Sequence, residues 1–540
     1  METFDFIVVG AGSSGCIVAA RLADSGASVC LLEAGPMDRK LSIQVPGGVV
    51  MAHTDPSITW DYQVSAPGGE GKRPARHGRV VGGSGSINGM MINRGIAADY
   101  DAWAAQGNRG WRYADVLPYF RRMEQRIGPG DARYRGRSGA LPVADADWRH
   151  PLAELFREAA LGTGLPRDPD HNGPSQDGVS TQQLNLKGGL RVSAARAFLH
   201  PALKRHRATG RLALRTGALA LQVLFEGRRA VGVRYALDGN AVDVHARREV
   251  ILCAGAAASP KLLQVSGVGP PQLLGELGVP VVQALEGVGN NLQDHYHVRM
   301  VFGIRGIETI NSIARGPRLA GEVLKWLTGR PGLVGSSPFP VLATVRSAPG
   351  LAATDVMLFF SPGSYTATTR KMTPTPGASC VVWQMRPASR GRVRARSSDA
   401  RDLPDIDPNY LASEADRQAL LGGIRVARRI FAQSPLAEHV AGEEVPGASA
   451  DSDEALLAFA RASGNTAFHL SGSCRMGPAN DAQSVVDAEL RVHGIEALRV
   501  CDTSIMPAVT SGNTNAPTMM IAEKAADMIL GLPAEPTAIL

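Results

Sequence analysis

The chain has 540 residues, of which 44% are hydrophobic and 20% charged, and its formal net charge is +7. That balance excludes a disordered or fibrous chain, and the length suggests two to four structural units. The positive charge forms no aromatic-interleaved basic motif, so nucleic acid is not an expected partner, and no run of about 18 apolar residues marks a membrane-spanning helix.

Residues 6–9 are apolar and rich in β-branched side chains, which reads as a buried parallel strand. Gly10, Gly12 and Gly15 follow at G-x-G-x-x-G spacing, and residues 16–23 then read as a helix with an apolar face. A second strand over 27–32 ends at Glu33, Ala34 and Gly35, and Glu33 stands 18 positions beyond Gly15. Each part has a physical task in binding a dinucleotide. Gly10 makes the tight turn, Gly12 admits a pyrophosphate to the backbone, and Gly15 lets helix and strand pack closely. The helix amino terminus offers free N–H groups to phosphate, and a carboxylate at Glu33 can accept from ribose hydroxyls. The motif by itself does not separate FAD from NAD.

Lys72, Arg73, Arg76, His77 and Arg79 form the densest basic cluster, which reads either as a solvated loop or as a loop facing an anion. The glycine- and serine-rich segment 78–89 follows, with a backbone able to fold tightly and present N–H donors. Residues 249–255 read as a strand delivering a glycine turn, and Pro260 suits the first turn of the next helix. His295 and His297 are spaced like a pair of metal ligands, but a third ligand is missing, so a structural role is expected and no metal. Residues 355–360 and 380–385 look like strands able to floor a pocket, while 390–393 and 404–410 read as strand edges and turns. The last helix is placed at 518–530. The six cysteines form no C-x-x-C pair and sit in apolar segments, as expected of buried thiols in a reducing compartment. Met1-Glu2-Thr3 runs straight into the first strand without a secretory leader. The cytoplasm is therefore the expected location, with peripheral attachment to a membrane left open.

Taken together, the segments around Gly10, Gly82, Gly255, Asn291, His469, Asp502 and Asn513 resemble the glucose-methanol-choline (GMC) family of FAD-dependent oxidoreductases, over nearly the whole chain. The nearest look is to its choline-dehydrogenase-like and bacterial alcohol dehydrogenase branch. The resemblance implies a mixed α/β fold: a discontinuous Rossmann-like FAD-binding domain (1–150, 200–300 and 465–540) with an inserted β-sheet substrate domain (151–199 and 301–464). It implies FAD contacts at Gly10, Gly12, Ser13, Ser14, Gly15, Glu33, Ala34, Gly82, Gly83, Ser84, Asn88, Gly89, Ala254, Gly255, Asp502, Asn513 and Thr514. Asp502 is expected to accept a hydrogen bond from the ribityl chain or nearby backbone, and the last helix to point its amino terminus at the flavin pyrimidine.

The same resemblance makes His469 the catalytic base, a task that suits a neutral imidazole. It makes Asn513, 44 positions later, its partner and places Phe468 in the substrate pocket. Asn513 could instead serve as a helix cap, and Asn515 is the alternative partner. Some relatives attach FAD covalently through a histidine whose place Ile87 takes here, so noncovalent FAD is expected; Ile92 is a second departure from the usual signature. The implied reaction is oxidation of an alcohol to an aldehyde or ketone, with electrons passed to a quinone or dye-type acceptor, or alternatively to oxygen. Relatives that keep FAD as hydroxynitrile lyases or fatty-acid photodecarboxylases supply a reading of another class, and a flavin-binding protein without catalysis a third.

Overall fold

The computed structural model describes residues 2–69, 71–366 and 372–539. The expected strand–turn–helix opens the chain. The strand Glu2–Val9 leads through Gly10–Gly12 into the helix Ser13–Asp24, and Val29–Glu33 returns parallel to the first strand. A Cβ on Gly15 would stand 1.8 Å from the Gly10 carbonyl oxygen, so only glycine lets the helix start this close to the strand.

These strands form the centre of a seven-stranded sheet. Leu212–Thr216 extends it in parallel beyond Val29–Glu33, and the carboxy-terminal half of Asn240–Leu252 pairs in parallel with Glu2–Val9. Leu498–Val500 adds to that half, while Arg229–Leu237 and Leu219–Glu226 continue the other half as an antiparallel meander. The apolar strands bury one face against Ser13–Asp24 and the last helix, Asn515–Leu530. These two helices are tied through Glu523, whose buried carboxylate accepts from Arg21 at 2.7 Å and Arg122 at 2.8 Å. A carboxylate so deep is tolerated because two guanidinium groups neutralise it.

The last helix begins at Asn515, three residues before the expected start at 518. Pro517 does not exclude this earlier start, because it lies in the first turn, where its missing N–H has no intrahelical acceptor to lose.

A second sheet is antiparallel and runs Val440–Val445, Tyr296–Ile304, Gly377–Gln384, Val356–Ser361, Val341–Val345 and Gly178–Thr181, with Asn465–Thr466 added at Tyr296. Its strands include the two expected near 355–360 and 380–385. The segments at 390–393 and 404–410 contribute short strands, Gly391–Arg394 and Asp405–Asp407, to a separate sheet. Alternation divides the antiparallel sheet cleanly. Val298, Met300, Phe302, Leu358, Phe360 and Val382 pack with residues of the helices Glu414–Phe431 and Pro151–Gly162 in one core. Phe359, Val381 and Trp383 point the other way. Among the described residues no helix is long and apolar enough to cross a membrane.

Candidate active site

A cavity of about 610 Å³ lies between the carboxyl ends of the parallel strands and the second face of the antiparallel sheet. The size is that of a small-molecule or cofactor site. Of the residues expected to hold a dinucleotide, Gly10, Gly12, Ser13, Ser14, Glu33, Ala34, Gly83, Ser84, Asn88, Gly89, Ala254, Gly255, Asp502, Asn513 and Thr514 line it. Gly15 and Gly82 do not, and both act behind the wall. Gly15 sets the helix against the strand. Gly82, at φ +88°, donates its N–H to the Ala11 carbonyl at 2.7 Å and so presses the second glycine loop onto the first. The fit is close: a Cβ on Gly83 would come within 2.7 Å of Gly12 Cα.

The nucleotide end fits a bound FAD on its own chemistry. Two helix amino termini open on the cavity, at Ser13 and Asn515. Neither has an acidic residue in its first turn or a side-chain cap on its N–H groups. Such uncapped donors, with the helix dipole behind them, suit a pyrophosphate and an electron-rich ring. Ser13 Oγ donates to Asn515 Oδ1 at 2.7 Å, which fixes the two termini to each other. Asn515 is therefore a brace between the first loop and the last helix.

Several polar side chains at this end prove to be already engaged with backbone. Glu33 accepts from the Ala11 N–H at 2.9 Å and the Gly35 N–H at 2.8 Å, and burial pushes its carboxyl up to about 7. Asp502 accepts from the Gly255 N–H at 2.9 Å, the Ser259 hydroxyl at 2.6 Å and the Ser504 N–H at 2.8 Å. Asn88 Oδ1 accepts from the Met90 N–H and from Arg191, whose guanidinium also reaches the Gly85 and Ile43 carbonyls beneath the loop. Arg191 is a buried support that nothing in the local sequence marks. The basic cluster divides: Lys72 pairs with Asp405 at the surface and Arg76 faces Asp61 at 3.4 Å, yet Arg76 and His77 also line the cavity.

The other end is built around His469. His295 Nε2 lies 2.8 Å from the Met385 carbonyl, which can only accept, so the His295 proton sits on Nε2. His295 Nδ1 therefore carries a lone pair and takes the Nδ1 proton of His469 at 2.9 Å. That leaves His469 Nε2 unprotonated, with the Asn513 Nδ2 amide donating to it at 3.3 Å. Burial, then the neighbouring His295, His297 and His77, hold the His469 pKa well below 6.5, and burial brings His295 down to about 4. The Asn513 side chain caps no helix; its Oδ1 is buried without a hydrogen-bond partner.

The segment carrying His469 is anchored by Asp294. Its carboxylate accepts from the His469 N–H at 2.8 Å, from Thr466 Oγ1 and from the Tyr410 hydroxyl, and burial raises it to about 6. Thr466 in turn accepts the Phe468 N–H at 2.8 Å. These bonds hold Phe468 at φ +64°, a left-handed conformation that a bulky residue adopts only under such constraint. The Phe468 ring meets His53 edge-on at 4.6 Å, and both line the cavity. Trp383 stands edge-on to His469 at 5.2 Å and stacks on His295 at 5.5 Å. Sequence reasoning placed His469, Asn513 and Phe468 here. It missed Asp294 and read His295 as structural; their presence in the segment 291–295 was the only available signal.

The GMC oxidoreductase family profile matches residues 4–297 and again 387–522. The chain is 41% identical over 543 residues to the mitochondrial choline dehydrogenase of Mus musculus, covering 99% of this chain and 90% of that one. It is 39% identical to the oxygen-dependent choline dehydrogenase of Photobacterium profundum, covering 98% of this chain and 93% of that one. The solved structure of pyridoxine 4-oxidase from Mesorbium loti superposes with a TM-score of 0.86 at 30% identity, covering 97% and 98% of the two chains. By its paired glycine loops, its histidine–asparagine pair and this likeness from end to end, the chain belongs to the GMC oxidoreductases, the FAD-dependent flavoproteins that act on the CH–OH group of their donors.

Proposed function

We propose that His469 is the base and Asn513 the hydroxyl-orienting partner of an FAD-dependent alcohol oxidation. The observation that carries this reading is the relay Met385–His295–His469–Asn513, which presents an unprotonated Nε2 to the cavity. FAD, when bound, supplies the acceptor for the hydride leaving the carbinol carbon. His469 Nε2 takes the hydroxyl proton, and His295 keeps the other ring proton on Nδ1, so the accepting lone pair faces the substrate. Asn513 Nδ2 donates to the substrate oxygen without competing for its proton. Phe468 and Trp383 exclude water from the reacting carbon. Those residues read as FAD contacts that line the cavity hold the cofactor, with Gly15 and Gly82 supporting the loops from behind, a reading supported by the two uncapped helix termini. FAD is proposed to be noncovalent, supported by Ile87 at the cavity wall in place of a nucleophilic side chain.

The electron acceptor is proposed to be a quinone or dye-type molecule, supported by likeness to the mouse dehydrogenase. Oxygen is the second reading, favoured by the name of the Photobacterium protein. The division into a discontinuous FAD-binding domain and an inserted substrate domain is proposed on the two apolar cores. Residues 192–199 pack in the first core and the strand Tyr296–Ile304 in the second, so that 192–199 and 296–300 change sides relative to the sequence-based boundaries. A cytoplasmic location is proposed on six cysteines that are all free and buried. Peripheral membrane contact would use the helix Gly316–Leu327, which exposes Leu319, Val323, Leu324 and Leu327. Anaerobic mixing of the FAD-loaded enzyme with a panel of primary, aryl and polyhydric alcohols tests the reaction: bleaching of the flavin is expected, and no bleaching with any alcohol contradicts it. Dye reduction compared with oxygen consumption then decides the acceptor.

A further inference from the structure

The strand Tyr296–Ile304 carries two polar side chains, His297 and Arg299, on the face that lines the cavity, while Tyr296, Val298 and Met300 enter the core on the other side. Arg299 is the unusual member. Its guanidinium lies over the rings of Tyr365 at 5.3 Å and Phe339 at 5.9 Å, and its Nη1 is buried with no hydrogen-bond partner. Burial pulls the guanidinium pKa down, and among the described residues no carboxylate stands close enough to oppose that.

The other charged groups on the cavity wall are accounted for. Arg76 faces Asp61, and Lys261 donates to the Ala400 and Asp402 carbonyls. The two carboxylates, Glu33 and Asp502, lie at the nucleotide end and are bonded to backbone N–H groups. An unpaired buried cation is costly, and the cost is relieved when a ligand brings the opposite charge. The planar donor fork of arginine matches an oxyanion in particular. Beside Arg299 itself, the Phe339 and Tyr365 faces already hold the protein's own cation, so this part of the wall does not suit a quaternary ammonium.

We propose that Arg299 receives an oxyanion, so that the substrate is an alcohol bearing a carboxylate or phosphate at the end remote from its hydroxyl. This rests on the alcohol-oxidation reading above and names its substrate class. Arg299 lies two positions beyond His297 on the cavity-facing side of Tyr296–Ile304, and His469 lines the same cavity, so an alcohol that reaches both carries its anion away from the hydroxyl.

The test uses the FAD-loaded enzyme and dead-end probes whose binding perturbs the flavin spectrum without turnover: 4-methylbenzoate, phenyl phosphate and the neutral 4-methylbenzamide. The anions are expected to bind at least tenfold more tightly than the amide, and whichever anion binds better identifies the class as carboxylate or phosphate. Arg299→Gln is expected to remove about 10- to 100-fold of that preference, the usual worth of a hydrogen bond to a charged group, and Arg299→Lys to keep part of it. In the reductive half-reaction, 4-(hydroxymethyl)benzoate should bleach the flavin faster than 4-(hydroxymethyl)benzamide or choline. Equal binding of amide and anions by the wild-type enzyme, or fastest bleaching by choline, overturns the proposal. Anion binding that depends on Arg299 without bleaching by any alcohol would leave the oxyanion site standing and refute the oxidation reading instead.

Discussion

His295 is the side chain whose alteration separates orientation of the base from the base itself. In His295→Phe the ring volume and the stack on Trp383 are kept, but the His469 Nδ1–H loses its acceptor and the Met385 carbonyl its donor. A buried polar group left unsatisfied costs about 1–3 kcal/mol. His469 can avoid its share by moving the proton to Nε2, where it is useless for accepting the substrate proton. A tautomer penalty of that size lowers the productive form, and with it the rate of flavin reduction, by about 5- to 150-fold. His295→Gln provides the control, because its amide can accept from His469 and donate to Met385 together. Stopped-flow measurement of anaerobic flavin bleaching should place the Gln variant well above the Phe variant, with FAD occupancy the same in both. A Phe variant that bleaches at the wild-type rate, or a Gln variant no faster than Phe, refutes the tautomer argument.

Glu33→Ala is expected to lower FAD retention through gel filtration, because the Ala11 and Gly35 N–H groups lose their acceptor and the first loop relaxes; undiminished occupancy would show that the carboxylate matters to neither loop nor ribose. Acid precipitation should release all flavin colour into solution, since Ile87 offers no attachment atom, and colour kept on the washed pellet would contradict noncovalent binding. The pH profile of flavin reduction follows from the sign of the His469 shift. A base must be unprotonated to act, and burial lowers its pKa, so the rate should stay flat as pH falls through 6.5 and drop only well below it. A break at or above 6.5 would mean that the imidazole is not desolvated.

What the sequence made legible follows the range of the interactions. The G-x-G-x-x-G turn could be read because each glycine answers a local steric demand, as the contact awaiting a Cβ on Gly15 illustrates. His469 and Asn513 were paired across 44 residues only through family resemblance, since no periodicity links them. His295 was read as structural with only His297 in view, and its link to His469, 174 positions away, lies beyond the reach of any local pattern. Arg299 drew no attention for a related reason. A polar residue alternating with apolar ones reads as the solvent face of a strand, and here that face is the wall of a cavity. The role of Glu33 in holding the loop was equally hidden, because its donors are the Ala11 and Gly35 backbone N–H groups, which no side-chain pattern records.

Whether His469 takes the proton is decided by anaerobic reduction of FAD-loaded His469→Ala by a good alcohol substrate in the stopped flow. The variant should retain FAD, because the nucleotide end of the cavity does not involve this side chain. Its bleaching should be slowed about 10²- to 10⁴-fold relative to wild type, the range expected for loss of a general base. Bleaching at the wild-type rate would remove His469 from the mechanism, and with it the roles assigned here to His295 and Asn513.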